Sequence, residues 1–212
     1  MVPQNVKDAL FAVNRLAVVP SSWVARAKFR GSAGSGQLNL HLGCGTRRIA
    51  GMINCDGNVL RKPDLWLDVR RPLPFPDASA SVVYTSHMLE HLLPSDALEL
   101  LREIRRVLAP AGVARVAVPD MEYALAIARG EAECAWPRSF TDPIAQAVNY
   151  LFCDGQHKYA YNFALLADFA AQAGFRGIRH VSAEHGVTPQ RYGALELGNE
   201  PVGSLVVELR HG

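Results

Sequence analysis

The sequence predicts an α/β fold: a mostly parallel sheet with helices on both faces and an antiparallel last strand. Three observations carry that prediction. Short apolar runs at Leu38–Leu42, Met52–Cys55, Leu65–Leu67, Ser81–Thr85 and Val113–Val118 have strand length and the near-continuous hydrophobicity of strands buried on both sides. Between the last two lies Ser95–Leu108, where Leu98, Leu101, Ile104 and Leu108 recur at helical spacing. A strand–helix–strand order implies a parallel crossover. Two further runs close the chain, Ile178–Ser182 and Gly203–Leu209, joined only by the polar stretch Ala183–Val202. No helical crossover is visible there, so the final strand is expected to run antiparallel to its neighbours.

Each element has a local reason. Residues 5–17 read as an amphipathic helix, with Val6, Leu10, Val13 and Leu16/Ala17 on one stripe. Trp23, Val24, Arg26, Lys28 and Arg30 continue it as a basic, partly apolar segment. Packing onto the domain is the expected role, and residues 5–30 also offer peripheral contact with an anionic membrane surface. Gly31 to Gly36 is a small-residue connector, so 1–36 forms a helical segment and linker and 37–212 the main domain. Ser95 is the expected cap of the long helix, which Pro110 and Gly112 end. Asp120 and Glu122 follow the fifth strand, near a ligand site or merely capping Tyr123–Ala128. Asp142-Pro143 opens another helix, a cap followed by proline at the first helical position. A third runs from about Asn162 to Ala173 and stops at Gly174. Residues 120–160 are expected as an insertion on the acceptor side.

Composition narrows the class of function. The 212 residues suffice for one domain with a substantial core. A net charge of +2 makes no case for nucleic acid as a partner. Cys44, Cys55, Cys134 and Cys153 are scattered without a paired motif, the usage of a reducing, cytoplasmic compartment. No apolar run approaches the roughly 20 residues that span a bilayer. Nothing indicates the oligomeric state.

The stretch Leu38-Asn39-Leu40-His41-Leu42-Gly43-Cys44-Gly45-Thr46, followed by Ile53-Asn54-Cys55-Asp56, carries the most chemistry. A strand, a glycine turn, a second strand and an acid form the unit with which α/β folds hold the adenosine half of a cofactor. Glycine lets backbone approach the ligand without a Cβ in the way. The carboxylate can accept from both ribose hydroxyls. Further motifs follow in order: Leu65-Trp-Leu-Asp68, Leu73-Pro-Phe-Pro-Asp77, Ser86-His-Met-Leu-Glu-His91 and Leu101-Arg-Glu-Ile-Arg-Arg-Val-Leu-Ala-Pro-Ala-Gly112. Each is weak alone; order and spacing together are specific.

With these motifs the chain resembles the class I S-adenosylmethionine-dependent methyltransferases, a Rossmann-like fold, and in particular small bacterial predicted methyltransferases of type 11. The matching stretch is Leu38 to Asp120, with a weaker echo at His157–Phe175. The resemblance implies S-adenosyl-L-methionine as cofactor, bound by His41, Gly43, Cys44, Gly45, Asp56, Gly57, Asp68, Val69, Ser86 and His87. Gly43 and Gly45 would admit the methionine and ribose, and Asp56 would hold the ribose hydroxyls. Asp68 and Val69 would meet the adenine edge, while Ser86 and His87 line the sulfonium end. Two departures stand out. The third glycine of the turn is replaced by Arg47. Gly45 and Asp56 are 11 residues apart, where a dinucleotide-binding unit has about 20.

That short crossover weighs against a nicotinamide cofactor, whose pyrophosphate needs a full helix N-terminus. His87-Met-Leu-Glu-His91 has the H-x-x-E-H form of some zinc enzymes, but no third ligand can be assigned, so no metal is expected. Cys44 lacks any partner that would make it a nucleophile. Methyl transfer to an alcohol gains from a general base, and His91, His87 and His157 are the candidates. His157-Lys-Tyr-Ala-Tyr161, with Asp154 and Gln156, either lines the acceptor pocket or packs on the sheet edge. His180, His185 and His211 read as surface or core. The expected acceptor is a small-molecule or carbohydrate hydroxyl. The N-P-P-Y-type tetrapeptide of base-amino methyltransferases is absent after the fourth strand. The alternative is a non-catalytic module of the same fold that serves a partner enzyme.

Overall fold

The computed structural model describes residues 19–134, 140–181, 190–192, 195–197 and 200–212. The sheet has seven strands: β1 Leu38–Leu42, β2 Ile53–Asp56, β3 Leu65–Trp66, β4 Ala80–Ser86, β5 Leu108–Pro119, β6 Gly177–Val181 and β9 Ser204–Arg210. Their order is β3-β2-β1-β4-β5-β9-β6. β1 pairs in parallel with β2 and β4, β2 with β3, and β4 with β5. β9 inserts antiparallel between β5 and β6. The expected mostly parallel sheet with an antiparallel last strand is what forms. A short hairpin of β7 Gln190–Tyr192 and β8 Leu195–Leu197 lies in the stretch expected to be plain loop.

The helices are α1 over 19–29, α2 Pro94–Val107, α3 Met121–Ala128, α4 Pro143–Phe152 and α5 Phe163–Gln172. In α2 the entry differs from expectation: Pro94 takes the first turn after Leu93, and Ser95 does not cap. Proline tolerates that position because its missing N–H would have no intrahelical partner there. The helix ends at Val107, and β5 starts at Leu108 rather than at Val113. Asp142 caps α4 as expected, accepting from Ala145 N, and Asn162, expected only as the start of α5, caps it by accepting from Leu165 N. Asp120 caps α3 by accepting from Glu122 N.

The two faces of the sheet are covered differently. α1, α2 and α5 pack on one face, burying Ala25, Leu101, Ile104, Leu166 and Ala170 against Leu40, Leu42, Val83, Val116 and Val207. Truncating such a side chain typically costs about 2–5 kcal/mol. On the other face Met52, Val82, Tyr84 and Val113 meet Leu195 and Leu197 of the hairpin. Among the described residues that face carries the hairpin, while α3 and α4 pack on each other through Ala124, Ile127, Ala147 and Tyr150. Crossovers 46–52 and 57–64 are too short for a helix that could reach back across the sheet. The expected helix over residues 5–17 lies outside the described residues; α1 ends that segment with Trp23 75% exposed. No described helix is long and apolar enough to cross a membrane.

Candidate active site

The turn after β1 and the end of β2 are tied into one unit. Cys44 N donates to Cys55 O at 3.0 Å, and Gly45 N donates to Asp56 Oδ2 at 2.8 Å. Asn58 N donates to the other oxygen, Oδ1, at 2.7 Å. Each carboxylate oxygen therefore holds one backbone N–H and keeps lone-pair capacity for a second donor. Gly43 and Gly45 both adopt positive φ, +68° and +53°. Their surroundings differ. A Cβ on Gly43 would lie 2.4 Å from Met88 Cγ, whereas one on Gly45 would meet nothing within 4 Å. The open approach belongs to Gly45, and Gly43 makes room for Met88.

Other expected cofactor contacts are placed as follows. His41 is buried beneath the turn, its Nδ1–H donating to Asn54 Oδ1 at 3.1 Å with the ring against Tyr84. Burial pushes its pKa down to about 4. Cys44 is buried, and burial raises its thiol to about 11, which removes it as a nucleophile at neutral pH. Gly57 sits between Asp56 and the Asn58 N–H that closes on it. Asp68 is gripped by Arg70, which donates to both carboxylate oxygens at 2.8 and 2.9 Å, and Val69 packs partly buried against the core. Ser86 ends β4, and its hydroxyl donates to Glu200 at 2.5 Å.

Glu200 is a site residue that sequence reasoning missed. Its carboxylate is fully buried beside the end of β4, accepting from Tyr84 OH as well as Ser86, with Arg47 Nη1 4.0 Å away. Arg47, which stands where the third glycine would be, donates to Tyr84 OH at 2.9 Å. Glu200 lies in a polar stretch with no motif around it, so nothing local could have singled it out.

The second cluster forms where the chain leaves β4. His87 adopts φ +50°. Its Nε2 is 2.8 Å from Ser204 Oγ, which donates its own proton to Pro201 O, so His87 Nε2–H is the donor and Nδ1 carries the lone pair. That Nδ1 is 3.6 Å from Glu90 Oε1. His91 Nδ1–H donates to Gln156 O at 3.2 Å and His157 Nδ1–H to Leu151 O at 2.7 Å. His157 Nε2 is 3.8 Å from Glu90 Oε1. The three catalytic candidates thus converge, His157 joining from 66 positions after His91. Burial lowers the pKa of His87 and His91 to about 4 and lowers that of His157 as well. All three imidazoles are neutral at pH 7.

Glu90, at their centre, is 1% exposed, and neither of its oxygens has a hydrogen-bond partner. Burial raises its pKa to about 8. The hydroxyl of nearby Tyr161, from the His157–Tyr161 stretch, is likewise buried without a partner, so this stretch packs inward with polar tips. Asp120 caps α3, while His180 is exposed and stacked on Phe163. His211 contacts Leu108 O, and His185 lies outside the described residues. A hollow of about 810 Å³ lies between α1 and the strands β2 and β3, lined by Met52, Ile53, Leu65 and Trp66.

Ligands of open α/β sheets bind outside the carboxyl ends of the strands, and both clusters lie there. Residues 40–116 match the family model described as a methyltransferase domain. No curated protein matches the chain. Among solved structures, the fold is similar to a S-adenosylmethionine-dependent methyltransferase of Thermotoga maritima, described as a possible histamine N-methyltransferase. Identity is 17%, coverage 98% of this chain and 95% of that one, and the TM-score 0.55. A S-adenosylmethionine-dependent methyltransferase of Mesorhizobium loti shares 18% identity over 90% of this chain and 97% of that one, with a TM-score of 0.51. The fold is that of the class I S-adenosylmethionine-dependent methyltransferases, and residues 40–116 carry their domain signature. S-adenosyl-L-methionine is the cofactor that goes with this domain, and the open flank of Gly45 and the half-satisfied Asp56 carboxylate fit it.

Proposed function

We propose that the chain transfers a methyl group from S-adenosyl-L-methionine to a hydroxyl of a small molecule or carbohydrate. The single observation that carries this reading is the Asp56 carboxylate beside the open Gly45, each oxygen held by one backbone N–H, of Gly45 or Asn58, with capacity for a second donor. Two adjacent acceptors with a fixed separation suit two vicinal ribose hydroxyls. The cofactor supplies an electrophilic methyl on sulfur when bound. Ser86 and His87, ending β4, border its reactive end.

On the acceptor side, the imidazoles supply lone pairs at His91 Nε2, His157 Nε2 and His87 Nδ1. Each ring is held in one tautomer by a bond at its other nitrogen. A neutral imidazole among them can take the proton of an alcohol, a role worth about 10²–10⁴-fold for a base with a near-neutral pKa and less for His87 and His91, which burial lowers to about 4. Orientation contributes more, up to about 7–11 kcal/mol. Helices α3 and α4, within the 120–160 segment, stand at this end of β5 and complete the acceptor side. Exposed Trp23 and Val24 beside Arg26 and Lys28 support a peripheral membrane contact, and Cys44 and Cys55, buried outside any disulfide, support a cytoplasmic location.

The test is thermal stability of the purified protein with S-adenosylmethionine, S-adenosylhomocysteine, NADH or no ligand. Ligand at 100 times its Kd adds about 2.7 kcal/mol, a rise of about 5–10 °C for this length. A rise with the two sulfur compounds supports the reading, and a rise with NADH alone overturns it. Binding without turnover on any hydroxyl acceptor would instead favour the non-catalytic module.

A further inference from the structure

The geometry points to a divalent transition-metal site, of the kind that takes zinc, formed by Glu90, His91 and His157. Glu90 and His91 lie in the 3-10 turn Leu89–His91 after β4, and His157 follows the turn Cys153–Gly155. Lys158 N and Tyr159 N both donate to Glu90 O, at 2.8 and 3.2 Å, and hold the two turns side by side. One ligand atom from each of the three residues lies within 4.8 Å of the others. Around a tetrahedral zinc ion, with ligands about 2.0–2.2 Å away, neighbouring ligand atoms stand about 3.4 Å apart. The 3.8 Å between His157 Nε2 and Glu90 Oε1 needs to close by about 0.4 Å, and the widest pair, within 4.8 Å, by up to about 1.4 Å.

The protonation pattern is what calls for a cation. His91 and His157 each spend their N–H on a backbone carbonyl, the arrangement that orients imidazole ligands and leaves Nε2 basic. His87 turns its Nδ1 lone pair to the same carboxylate. The carboxylate itself has no donor on either oxygen and is shut off from solvent. Apart from the Tyr161 hydroxyl, the groups that face Glu90 are imidazole lone pairs, and a buried gathering of acceptors is costly unless a positive centre stands among them. One proton on Glu90 would serve only one of those lone pairs. A divalent ion serves the three ligands at once and lets Glu90 ionise. His87, with 29% of its side chain exposed, lies at the solvent side of the cluster and marks the entry path. The existence of the site does not depend on methyl transfer. Only its catalytic use rests on the alcohol acceptor proposed above, whose hydroxyl would be acidified by direct coordination.

The test uses full-length, tag-free protein. Elemental analysis of the purified sample should find about one transition-metal ion per chain. Chelator-treated protein titrated with Zn²⁺ should gain about 5–10 °C in thermal midpoint at 100 times the Kd, and Co²⁺ should give the visible bands of a low-coordinate N/O site. Glu90→Gln and His157→Ala should each weaken Zn²⁺ binding by at least about 100-fold, since each removes a direct ligand where even supporting contacts are worth about 10–100-fold. His180→Ala, at an exposed histidine, should leave it unchanged. Unaltered Zn²⁺ affinity in both ligand variants, or no Zn²⁺-dependent shift in the wild type, overturns the proposal. S-adenosylhomocysteine binding, measured on the same samples, separates the two readings. Loss of metal with that binding intact removes only the metal site, and the converse removes only the methyltransferase reading.

Discussion

Two carboxylates end two neighbouring regions of the sheet and are treated in opposite ways. Asp56, the last residue of β2, is partly exposed and accepts one backbone N–H on each oxygen. Glu90, after β4, is buried and accepts none. The first is a finished acceptor with capacity left for hydroxyl donors from outside. The second is an unfinished one that faces the lone pairs of His87 Nδ1 and His157 Nε2. A satisfied acid at a strand end is prepared for a neutral polar ligand, whereas an unsatisfied acid among pinned imidazoles is prepared for a cation. The same contrast runs through the glycines of the β1 turn. Gly43 is closed by Met88 and serves packing, and Gly45 is open and serves access.

The largest effect is expected from breaking the finished acceptor. Asp56→Ala should weaken S-adenosylhomocysteine binding about 10³-fold, roughly 4 kcal/mol, because hydrogen bonds to a charged group are worth about 1.5–3 kcal/mol each. Calorimetric titration measures it, and an unchanged Kd would show that the acid serves only the turn. The paired glycine variants sharpen the same contrast. Gly43→Ala should lower folding stability by about 2–4 kcal/mol, combining a left-handed backbone with a clash against Met88. Gly45→Ala should cost only about 1 kcal/mol of stability yet impair cofactor binding. Equal stability losses would mean that the two flanks are not distinct.

Much of this was legible in the sequence, for reasons that particular residues make plain. β1 is bounded as Leu38–Leu42 announces, and the cap at Asp142 holds, because strand length and capping are local properties. The Gly43–Gly45 turn and Asp56 are legible because 11 residues connect them and β1 pairs with β2 directly. The hairpin β7–β8 was not, since its apolar content is a few residues within a polar stretch. The H-x-x-E-H pattern was visible, but its third member, His157, arrives only through the backbone bonds that join Glu90 to Lys158 and Tyr159.

A third buried polar group, on the hairpin-covered face, tests whether burial or partnership governs these sites. His41 has a partner in Asn54, yet burial still lowers its pKa from 6.5 to about 4. Below pH 6.5 the unfolded chain binds a proton there that the folded chain refuses, so stability is complete above that pH and falls toward pH 4. The loss attributable to His41 is roughly 2–3 kcal/mol by pH 4.5. Urea unfolding at pH 7 and pH 4.5 should show a correspondingly smaller difference in His41→Gln. An identical pH difference in the variant would mean that His41 takes up its proton without unfolding.

The smallest effect has the most informative sign. In chelator-treated protein, Glu90 is a polar group without partners, and replacing it by an apolar side chain of similar length removes the cost of burying it. Glu90→Met should therefore raise the stability of the metal-free protein by about 1 kcal/mol, the lower end of the desolvation penalty for an unpaired polar group. Asp56→Met, which strips acceptors from Gly45 N and Asn58 N, should lower it by about 1–2 kcal/mol on the same argument with the opposite sign. Adding Zn²⁺ should then reverse the order at position 90 alone, stabilising the wild type above Glu90→Met. Denaturant midpoints with and without Zn²⁺ read both signs in one experiment. A destabilising Glu90→Met in the absence of metal would show that the carboxyl is already satisfied within the fold, and the contrast between the two acids would dissolve.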